Sequence, residues 1–178
     1  IHDYSGSQIT QDIYDGYANI GASKDELKEK GLSGLKIPGK NVVSGRLSFV
    51  SELGYGSLPN LPQNNEEFRQ KGNPLTPTMR YHQRLEKELE QMMQKTGFDR
   101  LFDNFEEFCL AQQTAHGMAN KRLLEATRSN PNVIGYCVHA LTAGDWIMGA
   151  GLLDLWRNPK TDVYEMTKEA NQEQIVTL

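Results

Sequence analysis

The sequence predicts an α/β fold in which two buried strands are parallel neighbours. Apolar runs at 47–52 and 133–142 have the length and the Leu, Ile, Val and Phe content of buried parallel strands. Helical periodicity covers most of the chain between them, over 76–97 and 105–128, and a last helix is predicted over 162–172. Parallel strands need a long crossover, so this order predicts a parallel sheet of right-handed βαβ units.

Composition is typical of one globular domain. The chain has 178 residues, of which 38% are hydrophobic and 24% are charged, enough for one packed core. The net charge of −4 and the lack of a basic cluster argue against nucleic acid or an anionic membrane surface as a partner. No apolar run approaches the roughly 20 residues that a membrane-spanning helix needs.

The sequence contains no motif for a cofactor or a metal. Cys109 and Cys137 have neither the spacing of metal ligands nor the pattern of a disulfide framework, and we expect both to be buried thiols. A phosphate-binding glycine loop, a zinc pattern and a Ser/His/Asp motif are all missing. We therefore predict no cofactor and no metal, and the cysteines do not indicate a compartment.

Start and stop signals define the helices. Residues 7–30 carry apolar residues at helical spacing, and Ser23 has the position of an N-cap in a capping box. Thr76 is predicted as the N-cap of a long helix, with Pro77 in its first turn and Gly97 at its end. The inner stripe of that helix is predicted to consist of Met79, His82, Leu85, Leu89, Met92 and Met93.

Glu52 is the candidate catalytic residue because it ends the first predicted strand. Gly54 and Gly56 follow it, which indicates a sharp turn or room for a ligand. Folds built from parallel strands keep their chemistry at the carboxyl ends of those strands. The segment 57–73 is predicted as a long irregular loop that rims this site. A solvated glutamate that only ends a strand is the alternative, which spacing alone favours.

The second strand is expected to bring further side chains to the same edge. Because parallel neighbours present their carboxyl ends together, His139, Asp145 and Trp146 are predicted to share a rim with Glu52. A carboxylate beside an exposed tryptophan can hold a sugar, since the acid reacts and the ring offers an apolar plane. A Trp146 ring folded onto the core explains the same sequence equally well.

The first residues contribute another candidate pair. If Ile1 ends a strand, His2 and Tyr4 project to the same side and can hydrogen-bond a carboxylate or a sugar. A frayed polar terminus explains them equally well. The chain begins with Ile rather than Met, which predicts a processed chain or a piece of a longer one.

Several of these motifs resemble glycoside hydrolase family 2, which includes β-galactosidases, β-glucuronidases and β-mannosidases. The segments 128–136 and 140–142, followed by GLLD at 151–154 and RNPK at 157–160, are similar to the end of that family's barrel. The sequence SELG at 51–54 resembles the seventh-strand motif, whose Glu is the catalytic nucleophile, although an aromatic residue is more usual in its third position. HDY at 2–4 looks like the H-x-Y sequence at the sixth strand end of the wider clan, where the Tyr contacts the nucleophile.

The resemblance implies that residues 1–178 are the C-terminal portion, about strands six to eight with their helices, of a (β/α)₈ TIM barrel. It implies a retaining, β-galactosidase-like glycosidase that hydrolyses O-glycosidic bonds by double displacement. Glu52 would be the nucleophile, and Tyr4 and His2 would orient it. A full barrel needs about 250 residues, and the acid/base Glu would precede Ile1. We therefore expect an inactive fragment of a longer enzyme.

Partners and alternatives follow from this interpretation. The expected partners are a carbohydrate substrate and the remaining barrel segments of the parent chain. Unpaired strand edges also predict self-association, which would give a homo-oligomer. The alternative is a non-catalytic carbohydrate-binding or scaffold domain derived from a barrel, in which Glu52 is structural and Trp146 with the 57–73 loop binds sugar. A helical interaction protein built on 76–128 would need an exposed apolar stripe, and the two strands argue against it.

Overall fold

The computed structural model describes residues 9–39, 43–143 and 149–177. Within these ranges the chain forms helices and two strands in α/β order. The helices are α1 (Gln11–Ala18), α2 (Lys24–Glu29), α3 (Leu61–Gln70), α4 (Pro77–Thr96), α5 (Phe105–Ser129) and α6 (Val163–Ala170), with a 3-10 turn at Phe98–Leu101. The strands are β1 (Ser48–Leu53) and β2 (Val133–Val138). No helix in these ranges is long and apolar enough to cross a membrane.

The two strands pair in parallel, which confirms the predicted strand direction. The register aligns Ser48 with Val133 and Leu53 with Val138. The backbone N–H of His139 donates to the carbonyl oxygen of Leu53 at 2.8 Å, so the pairing continues just past β2. β2 ends four residues before the predicted limit at 142, and both strands end at the same edge.

The main core lies between α5, α1 and one face of the sheet. Val50 of β1 and Leu124 of α5 are completely buried there, and Leu53 is almost so. Burying large apolar side chains of this kind contributes about 1.5–3 kcal/mol each. The cluster also contains Ile9, Tyr14, Tyr17, Ile20, Tyr55, Ala119, Leu123, Ala126 and Ala170. The face that β1 and β2 turn toward α5 therefore fixes the sheet in the fold.

The opposite face of the sheet is exposed in the described part of the chain. Phe49 is 47% exposed and Ile134 is 65% exposed. The Phe49 ring lies over Gly135, where an added Cβ would be 2.7 Å from its Cε2 atom. The described residues do not form a portion of a barrel, because their sheet has two strands and the expected portion has about three. The third expected strand, ending at Ile1, lies outside the described residues, so the TIM-barrel assignment stays a prediction.

A second core joins α3, α4 and α5. Its buried members are Leu61, Met93, Phe105 and Cys109, with Leu58, Leu85, Leu89, Phe102 and Phe108 packed against them. The predicted start and end of α4 are confirmed, because the Thr76 side chain accepts from the Met79 N–H and Gly97 has φ 74. Met92 is 51% exposed, so its assignment to the inner stripe was wrong. Successive helical residues are rotated by about 100°, and with Met93 buried this rotation turns Met92 toward the surface.

The prediction of an irregular loop over 57–73 was wrong, because this segment contains α3. The Asn60 side chain caps the helix by accepting from the Gln63 N–H at 3.2 Å, and a proline lies in the first turn. Two asparagines, Asn64 and Asn65, suggest a loop but are buried on the inner side of this helix. Tertiary packing against α4 therefore decides the conformation of this polar segment.

The prediction that both cysteines are buried holds for one of them. Cys109 is buried in the second core, whereas Cys137 is exposed, and both are free thiols. Successive residues of a strand point to opposite faces, and Cys137 lies on β2 at a position that does not face the core. The apolar run of the second strand therefore does not indicate burial on both faces.

Asn130 ties the end of α5 to α1. The side chain is 3% exposed. Its Nδ2 atom donates to the carbonyl oxygens of Tyr17 and Ile20, both at 3.0 Å, and its Oδ1 atom accepts from the Asn132 N–H at 2.9 Å. One side chain thus satisfies three backbone groups where the chain turns from α5 into β2.

We predict that Asn130→Ala lowers the free energy of unfolding by about 2–4 kcal/mol, because three backbone groups at this buried position each lose a hydrogen bond. Urea denaturation of the purified protein measures this change. Gln91→Ala, on the exposed surface of α4, is the control and should change stability by less than about 0.5 kcal/mol. Equal stability of the two variants would contradict the role given to Asn130.

Candidate functional site

Glu52 lies next to the end of β1, at the edge where both strands finish. Its side chain is half-buried, between exposed Ser51 and buried Leu53. Strict strand alternation would put Ser48, Val50 and Glu52 on one face of the sheet. The register shifts between Val50 and Leu53, so Leu53 takes the inner position instead. This irregularity leaves Glu52 half-buried beside the core residue Leu53.

The turn after β1 requires glycine. Gly54 has φ 155, and a Cβ added there would lie 2.6 Å from the carbonyl oxygen of His139. Any side chain would therefore push β1 and the end of β2 apart. The next residue is also fixed, since the Tyr55 N–H donates to Asn120 Oδ1 at 2.9 Å in the buried interior. The backbone after Glu52 thus has a defined path.

A buried polar cluster holds the chain beyond this turn. It consists of Ser57, His116 and Lys160, each no more than 6% exposed. Ser57 Oγ lies 3.0 Å from His116 Nδ1 and 3.5 Å from Lys160 Nζ. Lys160 Nζ also donates to the carbonyl oxygen of Gly149 at 2.9 Å, and the same oxygen accepts from the Ser57 N–H at 2.9 Å. The cluster therefore connects three separate segments of the chain.

The polar face of α5 extends this network in both directions. Gln113 Nε2 donates to the Leu58 carbonyl oxygen at 3.2 Å, and Gln113 Oε1 accepts from the Thr161 N–H at 2.9 Å. Asn120 Nδ2 donates to Thr167 Oγ1 of α6 at 3.3 Å. We define the α5 polar face as Gln113, His116 and Asn120. It binds the segment after β1 and the segment that leads into α6.

The sequence contains a signal for this face that the motif analysis missed. Gln113, His116 and Asn120 recur at spacings of three and four residues, which places them on one side of a helix. His116 also lies beside small residues in the middle of the helix, which favours close packing between helix and strand over catalysis. Its burial agrees with that assignment, but its hydrogen bond to Ser57 adds a polar role.

Burial controls the charge of the two titratable groups in the cluster. It lowers the pKa of His116 to about 3, and the positive charge of Lys160 adds to this effect. Burial also lowers the pKa of Lys160 to about 8, while the negative charge of Asp154 opposes this shift. At pH 7 the imidazole is therefore neutral and the ammonium remains mostly charged.

The sequences GLLD and RNPK form a tight turn that leads to Lys160. Asp154 Oδ1 accepts from the N–H groups of Trp156 and Asn158, both at 2.8 Å. Arg157 adopts a left-handed conformation with φ 72 inside this turn. The Trp156 ring packs against Phe68, with 5.0 Å between ring centroids. In this structure the two motifs therefore shape the backbone that buries the Lys160 side chain.

The structure brings two of the predicted site residues to one edge. His139 is half-buried and directly follows β2, where its backbone is bonded to the residue after Glu52. His2, Tyr4, Asp145 and Trp146 lie outside the described residues. Among the residues that are described, no group of three or more His, Cys, Asp or Glu side chains could hold a metal ion.

Comparison of the chain with protein-family models, with curated proteins and with solved structures found no match. The candidate site is therefore described by its own geometry. That geometry is a half-buried carboxylate at the common carboxyl end of two parallel strands, followed by a backbone turn that α5 holds in place.

Acid should destabilise the fold through His116. The unfolded histidine binds a proton near pH 6.5, but the folded one does so only near pH 3. The stabilisation is therefore complete above pH 6.5 and is lost as the pH falls toward 3. We predict a loss of about 3 kcal/mol of unfolding free energy between pH 7 and pH 4 from this residue. Urea denaturation at both pH values measures it.

His116→Gln removes the titrating group and should reduce this acid sensitivity, although the variant is less stable at pH 7. His139→Gln is the matched control, because His139 lies outside the buried cluster. Its stability should fall with pH as in the natural protein. The same pH dependence in His116→Gln and in the natural protein would rule out the buried imidazole as the acid-sensitive group.

Proposed function

We propose that this chain is the C-terminal part of the catalytic barrel of a retaining β-glycosidase, with Glu52 as the nucleophile. The observation that carries the proposal is the position of Glu52 at the shared carboxyl end of β1 and β2. Chemistry in parallel α/β folds is located at this end of the sheet. The resemblance of SELG at 51–54 to the nucleophile motif of glycoside hydrolase family 2 gives the carboxylate its role.

The proposed reaction is a double displacement. The Glu52 carboxylate attacks the anomeric carbon, and the bond to the leaving-group oxygen breaks as an acid/base carboxyl group protonates that oxygen. A water molecule, deprotonated by the same acid/base group, then attacks the anomeric carbon and releases the sugar and Glu52. The two carboxyl groups must be about 5–5.5 Å apart. The proposal assigns the second one to a segment upstream of Ile1, so this chain alone would be inactive.

The local geometry suits a nucleophile that must be held in place. The Glu52 side chain is half-buried at the strand end, and contacts of Leu53, Gly54 and Tyr55 hold the backbone that follows it. Catalytic groups act most effectively when the supporting structure restricts their position. We propose that Tyr4 and His2 orient the carboxylate, as the resemblance implies.

The other predicted residues would bind the substrate. His139 follows β2 at the edge that carries Glu52, and we propose that it contacts the sugar. Asp145 and Trp146 are proposed to hold the sugar from the loop after β2. The remaining barrel segments of the parent chain would complete the site. No cofactor takes part in the proposed reaction.

The test uses the natural protein at its full length. We would incubate it with 2,4-dinitrophenyl 2-deoxy-2-fluoro-β-glycosides of galactose, glucuronic acid and mannose. These compounds accumulate the glycosyl-enzyme, because the fluorine slows its hydrolysis. Peptide mass spectrometry should then find the fluorosugar on Glu52. Aryl glycoside assays of Glu52→Gln should show a fall in kcat of about 10⁴-fold or more, as expected when a catalytic nucleophile is removed.

Glu88→Gln, an exposed carboxylate change on α4, is the matched control and should keep full activity. A label on another residue, or full turnover in Glu52→Gln, would refute the assignment of the nucleophile. Sugar binding without hydrolysis in the natural protein would favour the carbohydrate-binding alternative, in which Glu52 is structural.

A further inference from the structure

Lys160 is a buried ammonium group close to the end of β1. Its exposure is 3%. Its Nζ atom lies 2.9 Å from the Gly149 carbonyl oxygen, 3.4 Å from that of Ala150 and 3.5 Å from Ser57 Oγ. These partners, within the described part of the chain, are all uncharged. The direct hydrogen-bond partners of this buried cation are thus neutral oxygens, and the negative charge of Asp154 acts on it as well.

Burying a cation at this position costs folding free energy. Transferring an ammonium group out of water costs more than burying an apolar side chain of similar length, such as methionine. The three N–H donors of Lys160 offset part of that cost through the oxygens they bind. Those donors face two carbonyl oxygens of one segment and the hydroxyl of another. Lys160 therefore cross-links these segments.

The two segments cross in direct contact. A Cβ added at Gly56 would lie 3.3 Å from the carbonyl carbon of Gly149. At the same place the Ser57 N–H donates to the Gly149 carbonyl oxygen. That oxygen accepts from both Ser57 and Lys160, which uses both of its lone pairs. We call this contact between residues 56–57 and 149–150 the crossing.

The crossing is connected to Glu52 by a short run of fixed backbone. Residues 53 to 57 are held in turn by β2, by Asn120 and by Gly149. Only a few residues, with restricted backbones, separate Ser57 from the end of β1. A displacement of Ser57 is therefore transmitted toward that strand end. His116 supports Ser57 from the helix side, as a neutral partner at 3.0 Å. The crossing is thus the next point, after Tyr55, at which the backbone beyond β1 is held.

We propose that Lys160 is a positioning residue that fixes the end of β1, and with it Glu52, by holding the crossing together. This inference rests on the proposed function, since Glu52 is the group that is positioned. Lys160 acts only through the backbone of residues 53–57. Lys160 therefore does not itself contact the substrate.

The first test is Lys160→Met in the full-length protein, with Lys168→Met as the matched control. Lys168 is an exposed lysine of α6 that pairs with Glu165 at the surface. Hydrogen exchange followed by mass spectrometry should show exchange about tenfold faster or more in peptides covering 54–57 in Lys160→Met, without global unfolding. Lys168→Met should leave exchange there unchanged.

The second test is kinetic. In Lys160→Met we expect kcat to fall by about 10- to 100-fold with KM nearly unchanged, because a misplaced nucleophile slows the chemical step more than it weakens binding. Lys160→Ala should show the same loss. Propylammonium replaces the missing atoms of that side chain and should restore part of the activity, whereas tetramethylammonium, which cannot donate hydrogen bonds, should not.

The outcomes separate this inference from the proposed function. A natural protein with no turnover and no label on Glu52 refutes the proposed function, and exchange over 54–57 then decides alone whether Lys160 holds the crossing. Natural exchange and natural kcat in Lys160→Met overturn the positioning role. If Lys160→Met does not fold, the rescue of Lys160→Ala decides. Activity restored by propylammonium supports the positioning role, and failure of both ammonium ions to restore activity overturns it.

Discussion

The fold around the candidate site depends on the α5 polar face, Gln113, His116 and Asn120. These buried side chains bond to backbone or hydroxyl groups on both sides of the helix, after β1 and before α6. A buried polar group without a partner costs more than the bond gains when it is made. The α5 polar face therefore favours the one arrangement of the neighbouring segments in which each of its side chains has its hydrogen-bond partner.

This constraint differs from the apolar packing around it. The core between α5, α1 and the sheet brings the elements together through burial of large side chains, which is not directional. The α5 polar face and Lys160 add direction, because hydrogen bonds weaken steeply when their geometry changes. A half-buried carboxylate at a strand end needs this second kind of interaction to keep a defined position. Glu52 obtains it through the backbone that follows it.

Local signals were sufficient for the elements whose sequence and environment agree. Thr76, Pro77 and Gly97 mark the limits of α4, and the apolar runs mark both strands. Local signals gave the wrong prediction where polar residues are buried by tertiary contacts. Asn64 and Asn65 have loop character in the sequence but lie inside the contact between α3 and α4. At the site, sequence spacing found Glu52 and its edge but gave no sign that Lys160 contacts Ser57, because these residues are distant along the chain.

By itself, the sequence determined the α/β class, the parallel direction of the two strands and the position of Glu52 at a strand end. Each of these follows from local periodicity, from connection length or from strand geometry. The tertiary structure alone decided which residues support that end. A register shift places Leu53 in the core, and Gly54 packs closely against the backbone of His139. Lys160 forms a hydrogen bond with Gly149 at the crossing. Such contacts depend on how distant segments pack, and no local pattern encodes that packing.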